Sequence, residues 1–329
     1  MDLDSIKNNI FKEHTEASFS ELALEIFRLQ AVENPIYAEY LGHLGLSAEA
    51  ITHYRDIPPL PVQLFKGREV ILRGQKPEIA FSSSGTTGMV PSQHLVSDLS
   101  IYEQSFVQGF EREYGSLSDW TVYALLPGYM EREGSSLIYM AQKMIERSTD
   151  GTSGFFLSAT EELRELLQNR GDKKVLLLGV SFALLDFAES GAIDLSGVVI
   201  METGGMKGRR QEWTRAQLHA FYAQAFGVDV IHSEYGMTEL LSQGYSKGHG
   251  LFVCPPWMRV LPRDTSDPLS PGNFGKTAGL NIIDLANVNS CSFISVQDLG
   301  RVYEDGSFEV LGRFDDAEAR GCNLLIANS

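Results

Sequence analysis

Apolar and polar positions follow two different periods along this chain, and the change falls near residue 68. Before it, four apolar residues recur at three- and four-residue steps: Phe19, Leu22, Ile26 and Leu29. That spacing predicts an amphipathic helix. The run Ile57–Phe65 contains three prolines, and because proline breaks a helix interior we expect this run to be extended. Residues 1–67 are therefore predicted to be a mainly helical segment packed on the body of the protein.

Between residues 68 and 250, short apolar runs alternate with amphipathic stretches. The predicted strands are Val70–Leu72, Ile79–Ser82, Val122–Leu126, Val175–Val180, Val198–Thr203 and Val228–His232. Helical patterns separate them, as at Thr160–Gln168 and Glu212–Phe226. Such alternation is typical of a largely parallel sheet with helices packed on it, so the fold class is predicted to be α/β.

Residues 251–329 have a strand–turn–strand pattern interrupted by proline and glycine. Asp305-Gly306 lies inside Val302–Glu309 and is a hairpin signal. This segment is predicted to be a β-rich C-terminal portion. We expect the three segments together to form one structural unit.

Composition limits what the protein can bind. The chain has 329 residues, of which 43% are hydrophobic and 21% charged, and a formal net charge of −16. That charge disfavours nucleic acid and anionic membranes, so a bound phosphate has to be held by local groups. The cysteines are three in number, without a CxxC pair, which indicates a reducing cytoplasm rather than a disulfide framework or zinc site. We find no signal peptide, and the most apolar stretch is too short to span a membrane.

The clearest local motif is FSSSGTTG, Phe81–Gly88, which follows a predicted strand. Small hydroxyl residues interleaved with glycine allow consecutive backbone N–H groups to converge on phosphate oxygens. The motif is no Walker A loop, because Gly-Lys-Ser/Thr is absent. Taken alone, it is also typical of a flexible Ser/Gly turn.

Three further motifs carry candidate chemistry. HSEYGMTE, His232–Glu239, combines an aromatic ring that can stack on a base with a carboxylate that can hold Mg²⁺, although a capped strand-to-helix turn has the same composition. Asp298 follows a strand-like run and can accept ribose hydroxyls or simply form a turn. Arg313 follows Gly312 in a stretch that also fits a solvated charge cluster.

Taken together and in this order, the four motifs resemble those of the adenylate-forming superfamily, which includes acyl-CoA synthetases, luciferase-type enzymes and peptide-synthetase adenylation domains. SSSGTTG looks like its phosphate loop, YGMTE like its aromatic motif, and Asp298 like its ribose-binding aspartate. Gly312-Arg313-x-Asp315 looks like its hinge motif. The resemblance implies the large-domain fold of that superfamily, with residues 68–250 as the nucleotide-binding body and ATP and Mg²⁺ as cofactors.

The resemblance also implies residue roles. The β and γ phosphates would be clasped by Ser83, Ser84, Gly85, Thr86, Thr87 and Gly88. Tyr235 would stack on adenine, while Gly204 and Gly205 let the backbone approach the ring edge. Thr238 would orient the attacking acid or the α-phosphate, and Glu239 would hold Mg²⁺. Asp298 and Arg313 would bind the ribose.

Within the superfamily, the chain most resembles the acyl-protein synthetases of bacterial fatty acid reductase. The stretches that carry this closer likeness are IPPLPVQLFK, ETGGMKG and RGCNLL. It implies activation of a fatty acid to acyl-AMP, then acyl transfer to Cys322, whose thiolate would be the nucleophile, and an acyl reductase as partner. A free cysteine is more often a small buried apolar residue, so both interpretations of Cys322 stay open.

Two departures keep other functions in view. The superfamily's loop usually continues with Pro-Lys-Gly, whereas Pro91 is followed here by Ser92, so the loop lysine is missing. The small C-terminal domain that supplies a second lysine, roughly another 100 residues in relatives, is also expected to be absent. Lys207 or a residue of a partner is a candidate replacement. The alternatives are an AMP-forming acid–CoA ligase and a non-catalytic subunit that binds a nucleotide or acyl-adenylate.

Overall fold

A computed structural model describes residues 3–83, 91–127, 134–158, 161–204 and 213–314. The described residues form two compact units. The first contains the chain up to Gly74 and from Pro256 onward, and the second contains Gln75–Pro255. The structure thus groups the first and last segments of the chain. The division after residues 67 and 250, and the three segments as one structural unit, stay predictions.

The helices of the described residues are α1 (Leu3–Ile10), α2 (Glu16–Glu33), α3 (Pro35–Leu44), α4 (Leu99–Tyr114), α5 (Ser136–Arg147), α6 (Glu161–Gln168), α7 (Ser181–Glu189) and α8 (Arg215–Phe226). Local sequence fixes several of their ends. Thr15 and Thr214 each form a capping box at the start of α2 and α8. Gly227 ends α8 with φ 64°, a left-handed conformation that glycine adopts without strain. None of these helices is long and apolar enough to cross a membrane.

The second unit is built on a mainly parallel sheet. The strands of this unit are β2 (Ile79–Ser82), β3 (Gln93–Val96), β4 (Trp120–Leu125), β5 (Gly154–Phe156), β6 (Lys174–Val180), β7 (Val198–Thr203), β8 (His232–Tyr235), β9 (Gly244–Ser246) and β10 (Leu251–Phe252). The order in the sheet is β5-β4-β6-β7-β8-β9, and only β9 is antiparallel to its neighbour. Strands β2 and β3 pair as a separate hairpin. Helices cover the sheet, and β4 is buried along its whole length.

The first unit packs α1, α2 and α3 with an antiparallel sheet. Its strands are β1 (Leu60–Pro61), β11 (Met258–Arg263), β12 (Thr277–Asp284), β13 (Phe293–Val302) and β14 (Phe308–Arg313). Strands β11 to β14 follow one another in the sheet, and β1 joins β13 in parallel. Gln30 of α2 is fully buried, and its amide donates to the carbonyls of Asn287 and Val288 at 3.1 and 2.9 Å. These hydrogen bonds connect α2 to the segment between β12 and β13.

The α/β class, the parallel sheet and the hairpin at Asp305-Gly306 are confirmed. Three local predictions are wrong. Val70–Leu72 forms no strand, and the fifth parallel strand runs over His232–Tyr235 rather than Val228–His232. The run Ile57–Phe65 is extended only in part, because Val62–Phe65 turns as a 3₁₀-helix after its last proline.

Replacing Gln30 with alanine is expected to destabilise the first unit by roughly 2 to 4 kcal/mol, because several buried hydrogen bonds lose their partner at once. Besides the two carbonyls, the Gln30 side chain donates to the Ser292 hydroxyl and accepts from the Ser292 backbone N–H. Urea unfolding followed by fluorescence measures the change. Arg28→Ala, at an exposed position of the same helix, is the control, and equal stabilities of the two variants would contradict the assignment.

Candidate active site

Pairing between β7 and β8 brings two motifs together at the carboxyl edge of the parallel sheet. Thr203 lies opposite Glu234 in the register, so Gly204, which follows β7, and Tyr235, the last residue of β8, come next to each other. Gly204 has φ 73°, a left-handed conformation that other residues adopt with strain. The Tyr235 ring is mostly buried and packs edge-on against Phe252, with 6.0 Å between centroids. The two residues predicted to contact adenine are thus neighbours.

The neck of the predicted phosphate loop is closed by Ser83 and Ser92. The Ser83 N–H donates to the Ser92 carbonyl, and the Ser92 N–H donates to the Ser83 hydroxyl, both at 3.0 Å. Ser84, Gly85, Thr86, Thr87 and Gly88 lie outside the described residues, so their role stays a prediction. The hairpin nonetheless fixes where the loop starts and ends.

The hairpin also contacts the aromatic motif. The Ser92 hydroxyl donates to the carboxylate of Glu239, and both side chains are buried. His94, on β3, donates from Nδ1 to the Thr238 carbonyl at 2.9 Å. The structure therefore brings Ser83, Thr238 and Glu239 to one place, although about 150 positions separate the two motifs.

A buried carboxylate, Glu202, supports the start of the Gly204 segment. It accepts from the Ser181 hydroxyl at 2.7 Å and from His219 Nε2 at 2.5 Å. The Ser181 hydroxyl also lies 3.3 Å from the Gly204 carbonyl. Burial by itself would raise the pKa of Glu202, but His219 and Arg215 outweigh it and hold this pKa below its ordinary value.

Arg215 links this cluster to the aromatic motif. Its guanidinium Nε lies 3.9 Å from Glu202 Oε2, and its Cζ lies 5.2 Å from the centre of the Phe252 ring. Phe252 in turn packs on Tyr235. A continuous set of contacts therefore joins the Gly204 strand end to the tyrosine predicted to stack on adenine.

Asp298 and Arg313 lie in the first unit, where the structure pairs them with each other. They are opposite residues of β13 and β14, and Arg313 Nε lies 3.3 Å from Asp298 Oδ1. The Asp298 side chain is 12% exposed and that of Arg313 is 62% exposed. A guanidinium this exposed remains accessible to a further anion or hydroxyl.

The other predicted residues can be placed only in part. Gly205 and Cys322 lie outside the described residues. Of the cysteines that are described, Cys291 is buried, and burial raises the pKa of its thiol to about 12, so it is a poor nucleophile. Across the described ranges, no group of three or more His, Cys, Asp or Glu is arranged to hold a metal ion.

Sequence reasoning missed Ser92, Glu202 and Glu234 as site residues. Ser92 stands four positions beyond the loop motif, and the two glutamates lie inside stretches that drew attention for their neighbours. The available signal for the two glutamates was their position directly before the last residue of β7 and of β8. A buried carboxylate at such a position needs a nearby partner.

No protein-family model and no curated protein sequence matches the chain. Solved structures do match. The 2-hydroxyisobutyryl-CoA ligase in complex with 2-HIB-AMP and CoA is 13% identical with a TM-score of 0.66, covering 93% of this chain and 70% of the ligase. ATP-bound MatB from Rhodopseudomonas palustris is 15% identical with a TM-score of 0.54, covering 71% and 47%. McyG A-PCP complexed with phenylalanyl-adenylate is 14% identical with a TM-score of 0.52, covering 74% and 48%.

These similarities establish the fold. The chain has the fold of the large domain of adenylate-forming enzymes. It spans about half the length of the first solved structures that it matches.

Replacing Glu202 with glutamine is expected to destabilise the second unit by roughly 1.5 to 3 kcal/mol at pH 7, because a buried charged acceptor loses its hydrogen bonds. A carboxyl with a lowered native pKa stabilises the fold above its ordinary pKa of 4.5, and this contribution is lost as the pH falls below that value. Urea unfolding at pH 7 and pH 4 measures both effects.

The difference in the free energy of unfolding between Glu202→Gln and the wild type should therefore be smaller at pH 4 than at pH 7. Glu162→Gln, at an exposed position of α6, provides the control and should match the wild type at both pH values. A constant gap between Glu202→Gln and the wild type would contradict the assigned charge state.

Proposed function

We propose that this protein is an ATP-dependent ligase that activates a carboxylic acid as acyl-AMP and then passes the acyl group to a thiol. The contact between Ser92, at the neck of the phosphate-loop motif, and Glu239 of the aromatic motif carries this proposal. It brings the neck of the predicted phosphate loop next to a carboxylate that could hold a divalent cation, at the carboxyl edge of a parallel sheet, where open α/β sheets bind ligands. The structural neighbours support it, since their complexes contain ATP, an acyl-adenylate or CoA.

In the proposed first half-reaction, a carboxylate oxygen of the acid attacks the α-phosphorus of ATP. The bond between the α-phosphorus and the bridging oxygen breaks, and pyrophosphate leaves with the electron pair. Thr238 would orient the attacking group, and the loop that begins at Ser83 would hold the β and γ phosphates. Tyr235 would stack on adenine beside Gly204, and Asp298 with Arg313 would bind the ribose.

The residues around Glu239 fit Mg²⁺. A buried carboxylate and a serine hydroxyl are hard oxygen donors, and Mg²⁺ is usually bound by one or two carboxylates together with substrate phosphates. Glu239 would be the protein ligand, with Ser92 orienting its carboxylate. Bound there, the cation would neutralise charge that develops on the phosphates.

In the proposed second half-reaction, the acyl group moves to Cys322 of this chain. The thiolate sulfur attacks the acyl carbon, a thioester forms, and AMP leaves with the bonding electrons. This assignment follows the likeness to acyl-protein synthetases, with a fatty acid as substrate, the cytoplasm as location and an acyl reductase as the partner that collects the acyl group. A specific observation favours a second candidate, an acid–CoA ligase: the matched 2-hydroxyisobutyryl-CoA ligase complex contains CoA.

Exchange of radiolabelled pyrophosphate into ATP, dependent on added acid, tests adenylation. Glu239→Gln is expected to lower the exchange rate about 100-fold, as removal of a charge-stabilising group at a reacting centre typically does. Ser92→Ala is expected to lower it by about 10-fold, because Glu239 keeps its charge but loses the donor that orients it. A panel of acids of increasing chain length identifies the substrate.

Absence of exchange with every acid would instead favour the non-catalytic binding subunit, and exchange by the wild type that does not depend on any acid would contradict activation of a carboxylic acid. Lys143→Gln, at a partly exposed position of α5, serves as the control and should exchange like the wild type.

Replacing Cys322 with serine separates the two thiol acceptors. The variant is expected to lose acylation of the protein more than 100-fold, as loss of a covalent nucleophile typically does, while pyrophosphate exchange continues. Intact-protein mass spectrometry after incubation with ATP and acid measures the adduct. An adduct on Cys254, or CoA thioester formation without any protein adduct, would contradict Cys322 as the acceptor.

A further inference from the structure

Glu234 is a buried carboxyl that the proposed mechanism does not use. It lies on β8 directly before Tyr235, and 8% of the residue is exposed. The Thr203 hydroxyl, on the neighbouring strand β7, donates to its Oε2. Among the described residues no cation contributes to its environment, unlike that of Glu202. A single neutral donor is little compensation for a carboxylate removed from water.

The second carboxyl oxygen of Glu234 lies beneath the turn that follows Tyr235. A β-carbon at Gly236 would collide with Glu234 Oε1. The carboxyl occupies the space that a side chain at this position would need, and glycine leaves that space open. Gly236 itself is exposed. The carboxyl thus supports the Tyr235–Gly236 turn from inside, a short step from solvent.

Among the residues that the structure describes, the titratable side chains that interact with Glu234 are two tyrosines. Tyr102 approaches from α4 and Tyr245 from β9, and burial raises the pKa of both hydroxyls, so both are neutral at physiological pH. Burial raises the pKa of Glu234 to about 7, against the opposing effect of the Thr203 hydrogen bond. Near neutral pH this carboxyl therefore exists in both protonation states.

We propose that Glu234 is a positioning residue whose neutral form supports the Tyr235–Gly236 turn in the geometry that binds the nucleotide. This inference rests on the proposed function, because it assigns adenine to Tyr235. When the carboxyl ionises, its charge is buried without a counter-ion and favours movement toward water past Gly236. The movement disturbs the turn and adds negative charge near a binding site for a polyanion. Binding of ATP to the ionised form is then coupled to uptake of one proton by Glu234.

Isothermal titration of the wild type with ATP and Mg²⁺ from pH 6 to pH 8.5, in buffers of different ionisation enthalpy, tests this coupling. The Kd is expected to rise about 10-fold across this range, and binding near pH 8 should take up a proton. Glu234→Gln replaces the neutral acid by an amide of the same shape. It should bind like the wild type at pH 6 and show neither the additional rise nor the additional proton uptake at pH 8.5.

Two further variants complete the experiment. Thr203→Val removes the hydrogen bond that favours the ionised form, so the midpoint of the pH profile is expected to move upward. Glu146→Gln changes an exposed carboxyl of α5 whose pKa is lowered by Lys143, and its profile should match the wild type. If Glu234→Gln fails to fold, the shift in Thr203→Val decides the question.

The failures are distinguishable. A wild type that binds ATP while Glu234→Gln keeps the same pH profile and proton uptake would overturn this inference and leave the proposed function intact. An unshifted midpoint in Thr203→Val would overturn it as well. A wild type that binds no ATP at any of these pH values would overturn the proposed function, and the inference with it.

Discussion

The parallel pairing of β7 with β8 is the constraint on which the candidate site depends. Because parallel neighbours end at the same edge of a sheet, this pairing places Gly204 beside Tyr235 and joins Thr203 to Glu234. Helix α8 connects the two strands, and its side chains Arg215 and His219 return to Glu202 at the end of β7. A slip of one residue between β7 and β8 would turn the side chains of the slipped strand to the opposite face of the sheet and separate Thr203 from Glu234. The strand register therefore determines which residues meet at the candidate site.

A second constraint is charge. A chain with a net charge of −16 is proposed to bind a polyanion at an edge where Glu202, Glu234 and Glu239 all lie. The three carboxyls have different surroundings. Glu202 is compensated by His219 and Arg215 and stays ionised, whereas burial favours a proton on Glu234. Glu239 accepts a hydrogen bond from the Ser92 hydroxyl, a neutral donor. In the proposed function a cation bound at Glu239 would also offset the charge of the phosphates.

The sequence predicted the fold well where apolar runs coincide with strands, as at Val198–Thr203, which β7 reproduces residue for residue. The prediction of β8 was wrong, because the apolar residues before His232 indicated a strand over Val228–His232. The residues that pair, His232–Tyr235, include a buried glutamate and a serine. Tertiary burial decided that strand, and local hydrophobicity did not. The motifs predict Tyr235 and Glu239 as site residues, and their roles stay predictions. Their partners escaped, since the contact of Ser92 with Glu239 spans 147 positions and no local pattern encodes it.

Ser92 also bears on how the phosphate charge is met. Where the loop of the adenylate-forming enzymes usually continues with Pro-Lys-Gly, this chain has Pro91 followed by Ser92. A lysine supplies a full positive charge, whereas a serine hydroxyl supplies one dipole, and here it is directed at the Glu239 carboxylate. If the chain binds ATP as proposed, the phosphate charge would be met by backbone amides and by the cation that Glu239 is proposed to hold. In the proposed mechanism the cation at Glu239, whose carboxylate Ser92 orients, would take over the electrostatic role of that lysine. Under this proposal, the absence of the loop lysine would make nucleotide binding depend more strongly on the cation than it does where the lysine is present.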